Sequence, residues 1–536
     1  IFKPMLILHN ARIHTHFPAQ TKADALAIQP APESGGRVVA LGDFDNLKQE
    51  FPDAQVEDLQ GRVVLPGLTD AHVHFRQYAL GLHSLDCDTA TRAECLERVR
   101  AAAAAAEPGT WIRGHGWRQN GWPEGFGDAA LLDLAAPRNP VYLSAASMHA
   151  AWANSAALRA ANIFAQTPDP PNGHIQRDAH GQATGILFEA AMQLVAEAIP
   201  QNTLEEDVAA MLAAQTKLWS YGLTGLHDFD RARSFRALQT MREQGELKLR
   251  VLKNIPVESL DQAIEIGLRS GFGDDLLRLG AVKVFADGAL GPRTAAMFDP
   301  YSGEPENRGM LFVDSEQLLE WGQKAALGGL GLTVHAIGDR AVHEALNAFE
   351  GLRAFERQNG LPSPRHRIEH VQVQHRDDLK RLGQLQLVAS MQPLHATADM
   401  LAAEKYWGER TQYSYGWRTQ LEAGAVLAFG SDAPVESPNP FLGLHAAVTR
   451  RRADGSPGPQ GWLPDQRLSL AEALAAFSSG AAYAAGMEQR LGRLAPGYLA
   501  DLIVLEQDPF EIEPHELRHV EPVATMVGGS WVWRKS

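Results

Sequence analysis

The 536-residue chain is predicted to be an α/β protein built on a (β/α)8 barrel, and three observations carry that expectation. Eight short apolar runs read as strands, helical periodicity fills the stretches between most of them, and side chains with metal or proton chemistry gather at the final residues of the runs. Chemistry at the C-terminal ends of strands marks a barrel's catalytic face.

In chain order, the first sixty residues form a β-rich flank. Strands are expected at Leu6-Ile7-Leu8, Ala11-Arg12-Ile13-His14, Ala25-Leu26-Ala27-Ile28 and Arg37-Val38-Val39-Ala40-Leu41-Gly42, between Pro, Gly and polar turns. The first barrel strand is the run from Val63 that passes Pro66-Gly67 and ends in Asp70-Ala71-His72-Val73-His74. A long stretch then interrupts the alternation. It holds the alanine run from Ala101 to Ala106, read as helix because alanine is the best helix former, then Gly114-His115-Gly116-Trp117 and a Pro-rich loop from Thr167 to Gly173. Regular alternation begins with a helix near Leu204 to Tyr221. Seven further strands are expected at 223–228, 249–253, 279–285, 331–335, 366–370, 386–392 and 425–432.

Composition narrows the functional classes. Hydrophobic residues at 45% and charged residues at 21% describe a soluble globular protein, and no uninterrupted apolar stretch is long enough to span a bilayer. A net charge of -15 argues against a general nucleic-acid surface and leaves small molecules as the expected partners. Cys87 and Cys95 are too few for a disulfide framework and lack metal-site spacing. The first residues do not read as a signal peptide, so a cytoplasmic location is the default; Met5 is a sensible natural start, with residues 1–4 ahead of it. A homodimer is the default assembly.

The strand ends supply the chemistry. The first offers His72 and His74, whose spacing puts both imidazoles on one face of an extended chain. The fourth offers Lys283 and Asp287, the fifth His335, the sixth His370 and the eighth Asp432. Singly, each has an ordinary structural reading; together, in barrel order, four histidines and an aspartate suit zinc. A protonated lysine has no lone pair, so Lys283 is a neighbour of the metal, loses its proton, or is converted by carbon dioxide to a carbamate able to bridge two ions.

These residues resemble the amidohydrolase superfamily, in its N-substituted formamide deformylase-like (YtcJ-like) branch. The matching segments are Pro66-Gly67-Leu68-Thr69-Asp70-Ala71-His72-Val73-His74, Val282-Lys283-Val284-Phe285-Ala286-Asp287-Gly288-Ala289, His335-Ala336-Ile337-Gly338-Asp339-Arg340-Ala341, Arg367-Ile368-Glu369-His370 and Ser431-Asp432-Ala433-Pro434-Val435. The resemblance implies a small β-sandwich built jointly from residues 1–64 and 486–536, a metallohydrolase barrel over 65–485, and an insertion at about 80–200 after barrel strand 1. It also implies a binuclear centre with His72, His74 and Asp432 on one zinc, His335 and His370 on the other, and carboxylated Lys283 between them; an unmodified Lys283 leaves one ion. Metal-activated hydroxide then attacks an amide-type carbonyl, with Asp432 as the catalytic base and acid. An N-substituted formamide, an N-acyl compound, a cyclic amide or a carbamate suits that chemistry as substrate.

Trp117, His149, Arg293 and Gln392 are the candidates for substrate binding, with Glu189 and His227 as further pocket residues. Asp287 and Asp339 read as loop caps, and His14, His16, His515 and His519 as surface groups of the terminal β regions. Two alternatives compete. The first is a mononuclear deaminase or another hydrolase of the same superfamily; such deaminases usually carry His-x-x-Glu after the fifth strand, where this chain has His335-Ala336-Ile337-Gly338. A non-catalytic regulatory or binding protein that kept the barrel has no chemical need for all six ligand candidates.

Overall fold

The computed structural model describes residues 4–17, 22–31 and 35–535; Ile1, Phe2 and Lys3, the stretch ahead of Pro4 and Met5, lie outside them. Eight parallel strands form one sheet in sequential order: β1 (Leu68–Val73), β2 (Leu223–Asp228), β3 (Arg250–Pro256), β4 (Leu277–Phe285), β5 (Leu332–Ala336), β6 (Arg367–His370), β7 (Val388–Met391) and β8 (Val426–Phe429). The barrel read from the sequence is therefore present, with each strand within a few residues of its expected place. Strands such as β2 and β5 are buried along their whole length, which is why they read as continuous apolar runs and not as alternating ones.

The ring closes between β8 and β1, just above the last residues of both. Asp432 N donates to His72 O (2.7 Å) and His74 N to Ala433 O (2.8 Å). Closure depends on a missing side chain: a Cβ on Gly430 would stand 2.4 Å from His72 N and 2.7 Å from Asp70 Oδ1. Asp70 pins the seam by accepting from the backbone of both His72 and Ser431 and from the Ser431 hydroxyl.

The apolar run from Val63 splits at Gly67 into two elements. Val63–Pro66 leaves the barrel and pairs with Leu502–Leu505 and Arg12–His14 in a six-stranded sheet that includes Lys22–Ala23, Pro522–Val527 and Ser530–Arg534. A four-stranded sheet of Arg37–Gly42, Ala25–Gln29, Leu6–His9 and Gln55–Asp58 covers it, and Leu8, Leu26 and Ile28 share one core with Val64, Leu502 and Val504. The alternate residues Val63, Leu65, Ile503 and Leu505 pack into the barrel core. The middle sheet is thus apolar on both faces.

Between β1 and β2 the chain builds a third unit around a six-stranded sheet running from Leu85–Asp86 through Ile112–Trp117, Val141–Ala145, Ala150–Ala153 and Ala183–Glu189 to Gly173–Arg177. The alanine run lies in helix Arg92–Ala105, whose Thr91 side chain accepts from Glu94 N. Helix Leu204–Ser220, which restarts the barrel, opens with a capping box between Thr203 and Glu206. Among the described residues no helix is long and apolar enough to cross a membrane.

Candidate metal centre

Side chains reach the mouth of the barrel by two local devices. Alternation puts His72 and His74 on one side at the end of β1, and Lys283 and Phe285 on one side at the end of β4. Strict alternation would send Glu369 and His370 to opposite faces of β6. His370 (φ 77°) and Val371 (φ 47°) adopt left-handed backbone instead, and both side chains reach the centre; Asp432 (φ 60°) is turned in the same way after β8.

His72, His370 and Asp432 are buried, with potential ligand atoms within 4.8 Å of one another. Asp432 Oδ1 lies 3.4 Å from His72 Nε2 and 3.4 Å from His74 Nε2, and Oδ2 lies 4.0 Å from His370 Nδ1. Two donors each ~2.1 Å from a tetrahedral zinc stand ~3.4 Å apart, so the first two separations match edges of a coordination shell. Oδ1 has no hydrogen-bond partner among the described residues.

Each histidine has its second nitrogen engaged by an oxygen. His72 Nδ1 meets Glu369 Oε2 (2.6 Å), His74 Nδ1 meets Asp230 Oδ1 (3.3 Å), His370 Nδ1 meets Gln392 Oε1 (2.9 Å) and His335 Nε2 meets Gly288 O (3.0 Å). A nitrogen that donates to oxygen keeps its proton there and leaves the lone pair of the other nitrogen for a cation. The donor set and the unpartnered carboxylate oxygen fit a divalent metal. The geometry also brings His370 to the His72–Asp432 pair, while its ring stands 4.5 Å from that of His335, so it joins the two halves of the ligand set.

Electrostatics favour the neutral ring at His72, His335 and His370, and the protonated one at His74 in the metal-free protein. Burial, reinforced by Lys283, lowers His72 to about 4, and burial holds His335 and His370 well below the ordinary imidazole range. Burial also opposes charge on His74, but Asp230 and Asp432 outweigh it and raise that imidazole to about 9. Burial opposes ionisation of Asp432, yet His72, His74 and His370 outweigh it and hold the carboxyl well below its usual range. Lys283 is buried and its ammonium is destabilised chiefly by that burial, to about 8 despite Glu369 and Asp432. Its Nζ stands 4.5 Å from the Phe229 ring centre and 4.8 Å from that of Phe285, without a hydrogen-bond partner among the described residues.

The expected substrate residues separate. Trp117 is not at the site: its ring is buried in the core of the inserted unit against Trp122, Phe126 and Trp152, and its N–H donates to Leu143 O (2.9 Å). Arg293 pairs with Glu304 (2.7 Å) and donates to the Tyr406 hydroxyl (3.3 Å), the salt-bridge alternative to an oxyanion role. His227 accepts from Arg367 inside the barrel (2.8 Å). His149 does reach the centre, with its ring 5.4 Å from that of His335 and its Nδ1 donating to Glu189 Oε2 (2.7 Å). Gln392 holds His370. Asp287 accepts from Ile337, Gly338 and Ala296 backbone, and Asp339 from Phe298 backbone, as loop caps do.

Several groups at the site were not singled out in the sequence. Glu369 sits beside a chosen histidine, Asp230 lies two residues past the end of β2, Phe229 stacks on His72 at 4.0 Å, and His395 lies in the first turn of helix Pro393–Trp407 with its Nε2 3.9 Å from Asp432 Oδ2. The strand-end rule that picked out the ligand candidates points to Asp230 if extended by two residues. No comparable signal marks His395.

Known proteins share this architecture. The amidohydrolase family pattern matches residues 55–533. The chain is similar to Protein LONG AFTER FAR-RED 3 of Arabidopsis thaliana, with 32% identity over 98% of this chain and 91% of the relative. It is also similar to N-substituted formamide deformylase of Arthrobacter pascens, with 29% identity over 98% of this chain and 97% of the relative. Among solved structures, an uncharacterized metal-dependent hydrolase from Pyrococcus horikoshii OT3 superimposes with a TM-score of 0.77 at 29% identity, covering 95% of this chain and 99% of that one.

Proposed function

The chain belongs to the amidohydrolase family, and on that premise we propose that it is a metal-dependent hydrolase cleaving an amide-type C–N bond of a small molecule, with N-substituted formamides or N-acyl compounds as the substrate class. One observation carries the reading: a buried carboxylate, Asp432, points an unpartnered oxygen at two imidazoles whose other nitrogens are already held by acids. The formamide class is supported by the similarity to the Arthrobacter pascens enzyme.

His72, His74, His335, His370 and Asp432 would hold zinc, and Lys283, once carboxylated, would bridge a second ion; its destabilised ammonium supports that modification, because only the neutral amine adds carbon dioxide. A divalent cation there supplies polarisation of the scissile carbonyl and acidification of water. Asp432 accepts the proton of the attacking water and returns it to the leaving nitrogen. His149, braced by Glu189, and Gln392 line the approach for the substrate. A deaminase-type acid three residues after His335 has no room: a Cβ on Gly338 would stand 2.0 Å from Ala296 O.

The test combines metal analysis with a panel of N-alkylformamides, N-acyl amines and esters, using wild type and Asp432→Asn. Stoichiometric zinc and hydrolysis of at least one amide, reduced about 10²-fold or more in the variant, are expected. Absence of bound metal, or equal activity of the two proteins, overturns the reading.

A further inference from the structure

The site contains two buried hydrogen-bond donors that neither metal binding nor proton transfer uses. Gln392 and His395 lie three residues apart at the start of helix Pro393–Trp407, which follows β7, and only 3% and 6% of their surfaces are exposed. Their Nε2 atoms have no hydrogen-bond partner among the described residues.

The protons on these atoms are fixed by what the rest of each side chain does. Gln392 Oε1 accepts from His370 Nδ1 (2.9 Å), so the amide nitrogen of Gln392 faces away from the histidine with both hydrogens free. With the amide nitrogen of Gln372 facing it at 3.3 Å, His395 Nδ1 accepts, an arrangement that puts the imidazole proton on Nε2. The Tyr415 hydroxyl stands 3.2 Å from Gln372 Oε1 and 2.8 Å from Asp399 Oδ2, with one proton for the two acceptors. The His395 ring lies parallel to that of His370 at 6.0 Å, and its Nε2 is 3.9 Å from Asp432 Oδ2, too far for a hydrogen bond. Gln392 thus stands against His370, and His395 Nε2 stands nearest the oxygen of Asp432 that faces away from His72 and His74.

We propose that Gln392 Nε2 and His395 Nε2 together bind the oxygen of the substrate's scissile carbonyl and donate to it as it becomes anionic during attack. No proton leaves either group; the carbonyl π pair moves onto the oxygen as water adds, and returns when the C–N bond breaks. Preorganised donors at the start of a 15-residue helix suit that charge, since the helix N-terminus adds positive potential. The inference rests on the hydrolase reading above and adds to it the groups that receive the carbonyl oxygen.

The experiment compares metal-loaded wild type, His395→Leu, Gln392→Leu and His395→Gln, with calorimetric binding of methylphosphonate as an anionic tetrahedral probe and turnover of the amides found in the panel. Loss of one such donor is expected to lower kcat about 10²-fold with KM little changed, and to weaken methylphosphonate in parallel. His395→Gln, whose amide nitrogen can occupy the Nε2 position, is expected to recover most of both. Unchanged kcat and unchanged methylphosphonate affinity in His395→Leu overturn the proposal, as does loss of zinc from both His395 variants, which would make His395 a support of the metal. A wild type that hydrolyses no amide removes the hydrolase reading, while the methylphosphonate comparison still decides whether the two donors form an anion site.

Discussion

Replacing Glu369 with glutamine separates the contribution of buried charge from that of the histidines. The carboxylate is fully buried; it takes His72 Nδ1 at 2.6 Å, Thr333 Oγ1 at 2.5 Å and the Arg367 guanidinium at 2.7 and 3.1 Å. Burial opposes its charge, but Arg367 and His72 outweigh that and hold its pKa well below the carboxylate range. Glutamine keeps the volume and removes the charge. Arg367 is then a buried cation without its counterion, a change that costs about 3–5 kcal/mol; the single amide oxygen cannot serve both His72 Nδ1 and the Thr333–Arg367 side, and the weakened hold on the His72 tautomer is worth about 10–100-fold in metal affinity. Urea unfolding of the metal-free proteins measures the first effect, and zinc competition against a chromophoric chelator measures the second. The depressed pKa means that this stabilisation is present above the unfolded carboxylate value near 4.3 and lost as pH falls through the folded one, so the gap between wild type and Glu369→Gln narrows on acidification. An unfolding midpoint and a zinc affinity both equal to wild type would refute this account of the site.

Two further perturbations follow from the same geometry. In the metal-free protein the rise of His74 from 6.5 to about 9, against burial and through Asp230 and Asp432, corresponds to about 3 kcal/mol. That stabilisation is complete below the unfolded pKa and disappears as pH rises through the folded one, so thermal stability is expected to decline between pH 6.5 and about 9 and to do so less in Asp230→Asn; a flat wild-type profile contradicts it. Gly430→Ala places a methyl group against His72 N and Asp70 Oδ1, neither of which can retreat, and is expected to cost about 3 kcal/mol or more and to weaken any metal binding at His72, whereas Gly42→Ala, with nothing within 4 Å, is expected to be near neutral in the same melts.

The barrel was legible because its strands are buried on both faces, so each stands out as an apolar run ending in a polar residue. Val63 to Leu68 shows the limit of that signal. Two elements that are both buried on both faces differ only in which sheets cover them, and Pro66-Gly67 does not say that the chain changes sheets there. The metal-ligand candidates were legible because histidines at the ends of successive strands are rare as a set. Their supports were not. Glu369 reaches the centre beside His370 only because the backbone turns left-handed at positions 370 and 371, a conformation that neither residue type announces. His395 depends on how a helix after β7 enters the mouth. Trp117 failed for the converse reason: its place in the insertion suggested a pocket residue, yet it ends a strand and fills a core of its own.

The sheet shared by barrel and sandwich has a consequence for synthesis on the ribosome. Val63–Pro66 leads directly into β1, but its partner Leu502–Leu505 is made more than four hundred residues later. Until then Val63 and Leu65 have no neighbouring strand on that side, and the barrel floor they share with Ile503 and Leu505 stays open. Until residues 502–505 emerge, the nascent chain therefore carries an unsatisfied edge next to the strand that carries His72, a species for chaperones to shield. The strand that carries His72 is in this way anchored to the sandwich only once residues 502–505 have been made.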